Sequence, residues 1–185
     1  MLIDVERIAQ AVGAEERGHR LVQSLRARLH RVSADTRTSR PRVVCLEWLD
    51  PLYLAGHWVP EMVDLAGGED ILGRSGQPSR ETTWGEVAAA DPDMLLIMPC
   101  GYSVQRTVNE LARLERSRSP WSAQLARWRE TYVLDANAYF SRPGPRLIDG
   151  VELLATILHP GPSHQLNPAE AVRLTTAALS VESRA

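Results

Sequence analysis

Rings are the side chains of this chain best equipped for chemistry. It carries five Trp, four Tyr and one Phe. Six of these, Trp48, Tyr53, Trp58, Tyr102, Tyr139 and Phe140, fall just after three short apolar runs. Flat rings give a large contact area with few rotors to freeze, so they suit stacking on a large, flat or greasy molecule. Asp50, His57, Asn137 and Arg142 stand among them as groups able to hydrogen-bond the rim of such a ligand. Aromatic rings also seal ordinary cores, so a buried-core reading stands beside the binding one.

Other chemistries are poorly supplied. Cys100 before Gly101, with His57 as base, would form a nucleophile pair, but no helix N-terminus faces the sulfur and no third group orients the base. No catalytic residues are therefore assigned. Glu47, Asp50, His57 and Asp135 are the metal-binding residue types near these loops, without the paired-histidine spacing a metal site favours. No metal site is expected, and His57 reads as a surface hydrogen-bonder ahead of a metal or cobalt ligand. All 21 basic residues are arginine, which excludes a Schiff-base or P-loop lysine. Cys45, inside an apolar run, reads as a buried free thiol rather than half of a disulfide with Cys100.

Holding the rings on one edge requires a particular architecture. The apolar runs at 42–47, 94–98 and 131–135 alternate with helical patterns, the signature of βαβ units and a mainly parallel sheet flanked by helices. Parallel strands would gather all three loops on one edge, where open α/β sheets bind ligands. Ahead of them, residues 3–12 read as a helix stopped by Gly13. A longer helix follows, with Leu21, Val22, Leu25, Leu29 and Val32 on one stripe. Its arginine-rich face (Arg17, Arg20, Arg26, Arg28, Arg31) reads as solvated. Thr83 and Glu86 form a capping box, and Ser119-Pro120 opens a helix bearing Trp121, Leu125 and Trp128. Leu147, Ile148, Val151, Leu154 and Leu158 mark the apolar stripe of another. The chain divides into a helical segment (1–40), an α/β lobe (41–160) and a tail (161–185) with a weak helix capped at Asn167-Pro168-Ala169-Glu170.

Charge and termini set bounds on partners. A net charge of −2 gives no attraction to nucleic acid or membrane surfaces. Met1-Leu2-Ile3-Asp4-Val5-Glu6-Arg7 lacks the basic and apolar regions of a signal peptide. As written, the chain is expected to be cytoplasmic, or a fragment of an exported protein.

Several stretches resemble a known family. The run 45–72, with Glu47-Trp48-Leu49-Asp50-Pro51, Gly56-His57-Trp58-Val59-Pro60-Glu61 and Ala66-Gly67-Gly68-Glu69-Asp70-Ile71-Leu72, resembles the second lobe of cobalamin-binding substrate-binding proteins of ABC importers. Trp84-Gly85-Glu86-Val87 through Asp91-Pro92-Asp93, and Tyr139-Phe140-Ser141-Arg142-Pro143-Gly144-Pro145-Arg146, extend the resemblance over about residues 14–160. Gly-Gly-Glu-Asp and Asp-Pro-Asp are shared by the wider siderophore, haem and corrinoid binders of the superfamily. Glu-Trp-Leu-Asp-Pro and Tyr-Phe-Ser-Arg-Pro-Gly-Pro point toward corrinoid.

The resemblance implies two lobes joined by one rigid helix, with the ligand clamped between them and no resident cofactor. It makes Trp48, Trp58, Tyr102, Tyr139 and Phe140 the stacking residues, and Asp50, His57, Asn137 and Arg142 the rim. It places Glu61 where an acidic residue contacts the ABC permease. Residues 14–32 match the connecting helix, so the expected partner is a first lobe, upstream or on a separate chain. Six rings near one open edge also lead to the expectation of a homodimer across it. A siderophore, haem or metal-binding lobe, and an interaction module without ligand, are the alternatives.

Overall fold

The computed structural model describes residues 1–34, 39–116, 121–128, 130–161 and 165–174. Two helices open the chain, α1 (Leu2–Ala11) and α2 (Glu15–Ala34). The reversal between them uses Gly13 at φ +67°, a left-handed conformation glycine enters without Cβ strain. Their crossing is close: a Cβ at Gly18 would lie 2.3 Å from that of Ala9.

Next come β1 (Arg42–Leu49), β2 (Leu52–Leu54), α3 (Val59–Leu65), β3 (Glu69–Asp70), β4 (Arg80–Glu81) and α4 (Trp84–Ala90). They are followed by β5 (Met94–Ile97), α5 (Val104–Arg116), α6 (Trp121–Leu125), β6 (Glu130–Leu134), α7 (Ala136–Tyr139), α8 (Arg146–Leu158) and β7 (Ala171–Arg173). One open sheet runs β4-β2-β1-β5-β6-β7, with β3 also paired to β1. The expected parallel core is present: β1 pairs β5 (Val43 opposite Met94, Leu46 opposite Ile97) and β5 pairs β6 (Leu96 opposite Tyr132).

Strand alternation sends side chains to two covered faces. Val43, Cys45, Leu96, Met98 and Leu134 pack with α3 and α8, burying Met62, Val151, Leu154 and Leu158. Val44, Leu46, Leu95, Ile97 and Val133 face the other way, toward Val87, Leu111, Leu114 and Trp121. Burial on both sides explains why these strands read as unbroken apolar runs. On the second face the rings of Trp84 and Trp121 meet edge-on at 4.8 Å, and Trp128 tilts against Trp84 at 5.8 Å.

The shared family pieces have structural roles. Gly67, at φ +84°, and Gly68 close α3 in a Schellman motif: the Gly68 N–H donates to Val63 O and the Gly67 N–H to Asp64 O, both at 2.9 Å. Asp93 Oδ2 accepts from the Arg42 N–H at 2.8 Å, locking the start of β1 beside β5. The Arg42 guanidinium donates to Asp91 O and Ala90 O at the end of α4.

Three expectations change. Residues 171–173 form β7, antiparallel to β6 with Leu134 opposite Ala171, rather than part of a weak helix. Residues 175–185, and the expected Ser119-Pro120 cap, lie outside the described residues. Arg28 is not on a solvated face: its Nε and Nη2 donate to Glu152 at 2.8 and 2.5 Å, and Nη2 also reaches Asp149 at 2.5 Å, tying α2 to α8. The capping box is half formed. Thr83 Oγ1 accepts from the Glu86 N–H at 3.2 Å, but the Glu86 carboxylate accepts from Arg80 and from Thr82, which hold it down to about 2.

Arg28 is the one bidentate clamp seen between the connecting-type helix and the lobe among the described residues, and it is only 26% exposed. Replacing it with Met keeps much of the stem but orphans Asp149 and Glu152. Arg28→Met should therefore cost about 1–2 kcal/mol, typical of charge-assisted bonds with partial exposure. Urea unfolding would measure it.

Candidate functional site

The carboxyl ends of β1, β5 and β6 lie side by side, so their loops share one edge. Hydrogen bonds stitch these loops to one another. The Trp58 indole N–H donates to Phe140 O at 2.8 Å, joining the first loop to the third. The Gly101 N–H donates to Ser141 Oγ at 2.7 Å and the Asn137 N–H to Tyr102 O at 3.1 Å, joining the second to the third. Asp135 accepts from the Ala138 N–H at 2.9 Å and so caps α7 as it leaves β6. A surface fixed this way loses little freedom when a ligand arrives.

Two shallow hollows lie on this edge. One, of about 230 Å³, is walled by Trp58, Phe140 and Met98, with His57, Glu47 and Cys100 at its polar side. The other, of about 220 Å³, lies between Trp48, Asp50, Tyr102 and Arg113. Each is smaller than the 300–1,000 Å³ pocket, to order of magnitude, that encloses a drug-sized ligand. Either fits part of a large molecule.

The candidates are not placed alike. Trp48, 38% exposed, ends β1 rather than lying in a loop, and meets the Tyr102 ring edge-on at 5.5 Å. Tyr53 is in β2, paired opposite Trp48. Trp58 and Tyr102 are half-buried; Asp50, His57, Asn137 and Arg142 are exposed. Phe140, only 4% exposed, is a core residue whose packing with Met62, Leu147 and Val151 leaves little ring face for a ligand. Tyr139 donates from its hydroxyl to Glu170 at 3.0 Å and lines a separate acidic hollow with Asp149 and Glu152. Trp48 is thus the one ring of the six more than about a third exposed, and a homodimer resting on six open rings has less apolar area behind it than the sequence implies. Glu61 is exposed in the first turn of α3.

Sequence reasoning missed Arg106. Its guanidinium lies 3.7 Å from the centre of the Tyr102 ring, a cation–π contact. No carboxylate pairs with it among the described residues, whereas Arg113 nearby is bound to Glu110. Arg106 lies in the first turn of α5, just after the loop that carries Tyr102; that nearness in sequence was the available signal.

Cys45 and Cys100 are both free, Cys45 buried and Cys100 exposed. Burial, and then the Asp70 carboxylate, push the Cys45 thiol well up. Among the described residues no group of three His, Cys, Asp or Glu is placed to hold a metal ion, and no helix is long and apolar enough to cross a membrane.

A sequence profile described as periplasmic binding protein matches residues 3–118. The chain belongs to the periplasmic binding protein family. No curated protein sequence matches it. Among solved structures, an ABC transporter substrate-binding protein from Listeria monocytogenes EGD-e superposes with TM-score 0.72 at 16% identity, over 87% of this chain and 64% of that one. The periplasmic haem-binding protein RhuT from Roseiflexus sp. RS-1, in apo form, gives 0.63 at 25% identity, over 85% and 61%. The periplasmic vitamin B12-binding protein BtuF of Vibrio cholerae gives 0.64 at 21%, over 85% and 59%. The chain thus spans roughly three-fifths of the length of these proteins, and its architecture is that of their C-terminal lobe.

Proposed function

We propose that this lobe carries one half of a binding site for a cobalamin or related corrinoid, serving an ABC importer without catalysis. The observation that carries the proposal is the stitched strand edge, where Trp48, Tyr102 and Trp58 stand in fixed positions around two shallow, partly apolar hollows. Such a surface matches a broad flat ring better than a compact polar solute. Asp50, Asn137 and Arg142 surround it as partners for rim amides, and Arg106, unpaired among the described residues, adds a cation for an anionic group on the ligand. Glu61, exposed in the first turn of α3, is placed to meet a basic residue of a permease, although an acidic residue in a first helical turn is also favoured by the helix dipole.

Haem is the second reading. Arg106 favours it equally, because a guanidinium on an aromatic face binds the carboxylates of a porphyrin as readily as the phosphate of a corrinoid nucleotide. Visible-absorbance titrations with each ring, and competition between them, decide the order.

Substitutions should separate site from scaffold. Trp48→Ala and Tyr102→Ala each remove a stacking face worth roughly 1 kcal/mol, so affinity should fall about five- to tenfold. Trp128→Ala, in the Trp84 cluster away from the strand-end loops, should lower stability and leave the affinity of folded protein unchanged. Equal affinity in all three variants contradicts the assignment of the edge.

A further inference from the structure

We infer that residues 73–79, the strap between β3 and β4, form a latch beside the binding edge whose opening is set by the proton on Asp70. Asp70 ends β3, and its Oδ1 accepts from the Gly73 N–H at 2.8 Å, which folds the chain back over its own side chain. A Cβ at Gly73 would lie 2.2 Å from Asp70 Oδ2, so the strap backbone itself covers that oxygen. Oδ2 is buried with no hydrogen-bond partner of normal geometry. An ionised carboxylate left dry is costly, and lifting the strap at Gly73 lets water reach it.

The far end of the strap is built in the same way. Ser79 Oγ is also buried without a partner, so closure leaves a polar atom unsatisfied at each end. Between the ends, residues 74–78 are exposed. Two bonds to His57 hold the strap down: the His57 N–H donates to Gln77 O at 2.6 Å, and the Gly76 N–H donates to His57 O at 2.7 Å. Bracketed in this way, His57 sits at φ +55°, a left-handed conformation that a residue with a Cβ keeps only under restraint. Gly56 lies under the same turn, where a Cβ would meet Ser79 N at 2.5 Å. An exposed segment with few anchors and unsatisfied ends opens at a lower free energy than the core around it.

Few other charges face Asp70. From β1 the Cys45 thiol lies against the carboxyl, and burial pushes that thiol well up, which keeps it neutral. From α3, Val63 and Ala66 are buried, while Glu61 and Asp64 are exposed and Asp64 is bound to Arg40. Glu69, the other residue of β3, and Arg74 on the strap are both exposed. Burial pushes the Asp70 carboxyl up to about 6 in the closed state. Below that pH the strap lies shut over a neutral acid. Above it, ionisation favours the lifted state, in which the carboxylate is hydrated. Lifting frees Gly56 and His57, which line the 230 Å³ hollow, so the edge is held most firmly at acid pH, whatever ligand it takes.

Hydrogen exchange of the whole chain without ligand, corrected for the intrinsic rate at each pH, tests the latch. The amides of Gly73, Gly76 and His57 report the strap; those of Ile97 and Val133, inside the sheet, report global unfolding. In the parent the strap amides should be less protected than the sheet amides. Their protection should fall about tenfold between pH 5 and pH 7.5. In Asp70→Asn the strap protection should be the same at both pH values. Asp70→Ser, which also cannot ionise, answers the question if the asparagine variant does not fold. Strap protection equal to that of Ile97 and Val133 would mean that the strap opens only with the whole lobe, and overturns the inference. So does strap protection in the parent that ignores pH. A tenfold fall that persists in Asp70→Asn assigns the proton to another group, such as His57, and overturns it as well.

Discussion

Gly56→Ala should be among the most disruptive single substitutions in the lobe, costing about 3 kcal/mol, at the upper end for an overpacked site. The added methyl would lie 2.5 Å from Ser79 N, 2.6 Å from Gln77 O and 2.7 Å from Pro78 C, all of them backbone atoms. A flexible side chain could swing away; a bracketed turn cannot. Accommodation must push residues 77–79 outward and break the His57 N–H to Gln77 O bond. Gly76→Ala is the informative comparison. Gly76 lies at φ +73° with nothing within 4 Å of its Cβ position, so it should lose only the conformational term, about 1 kcal/mol. Urea unfolding of both variants measures the difference. Equal losses would mean that the turn yields and does not hold His57 in place.

Asp70→Asn should make the protein more stable at neutral pH. Asp70 Oδ1 accepts from the Gly73 N–H at 2.8 Å, but Oδ2 is buried with no hydrogen-bond partner of normal geometry. Burial pushes this carboxyl up to about 6, while the Gly73 and Leu72 amides and the Cys45 thiol pull it down by less. The folded state therefore holds the proton more tightly than the unfolded chain. Stability from this group is complete below the unfolded value near 4 and is lost as pH rises through about 6. The loss is at most about 3 kcal/mol above that range. Asparagine keeps the Oδ1 acceptor without the charge, so the variant should gain about 1–3 kcal/mol at pH 7.5 and nothing at pH 4. Thermal unfolding at the two pH values measures it. A gain of equal size at both would point to packing rather than charge.

What the sequence made legible, and what it did not, follows element length and burial. The strands at β1, β5 and β6 were readable because both faces are buried, which leaves continuous apolar runs of three or four residues. β3 and β4 have two residues each, and β2 and β7 three. No periodicity can be read from so few, and β7 exists because β6 offers it an open edge. Arg28 looked like its solvated neighbours because its partners, Asp149 and Glu152, lie more than 120 residues away.

Within the site, the aromatic clustering found the right edge but not the right surfaces. Trp48 and Phe140 look alike in sequence, yet one is 38% exposed and the other 4%. The difference comes from α8, where Leu147 and Val151 cover Phe140. The left-handed backbone of His57 is imposed by a bracket twenty residues downstream, a pairing that local spacing does not reveal.

Isothermal calorimetry of this chain with cobalamin tests the account most directly. A two-lobed clamp binding at ~1 nM has about −12 kcal/mol to share, so one lobe with roughly half the contacts should retain about −6 kcal/mol. The account predicts saturable binding with a Kd of about 40 μM. No heat and no spectral change at about 1 mM cobalamin, where such a site would be nearly full, would contradict it.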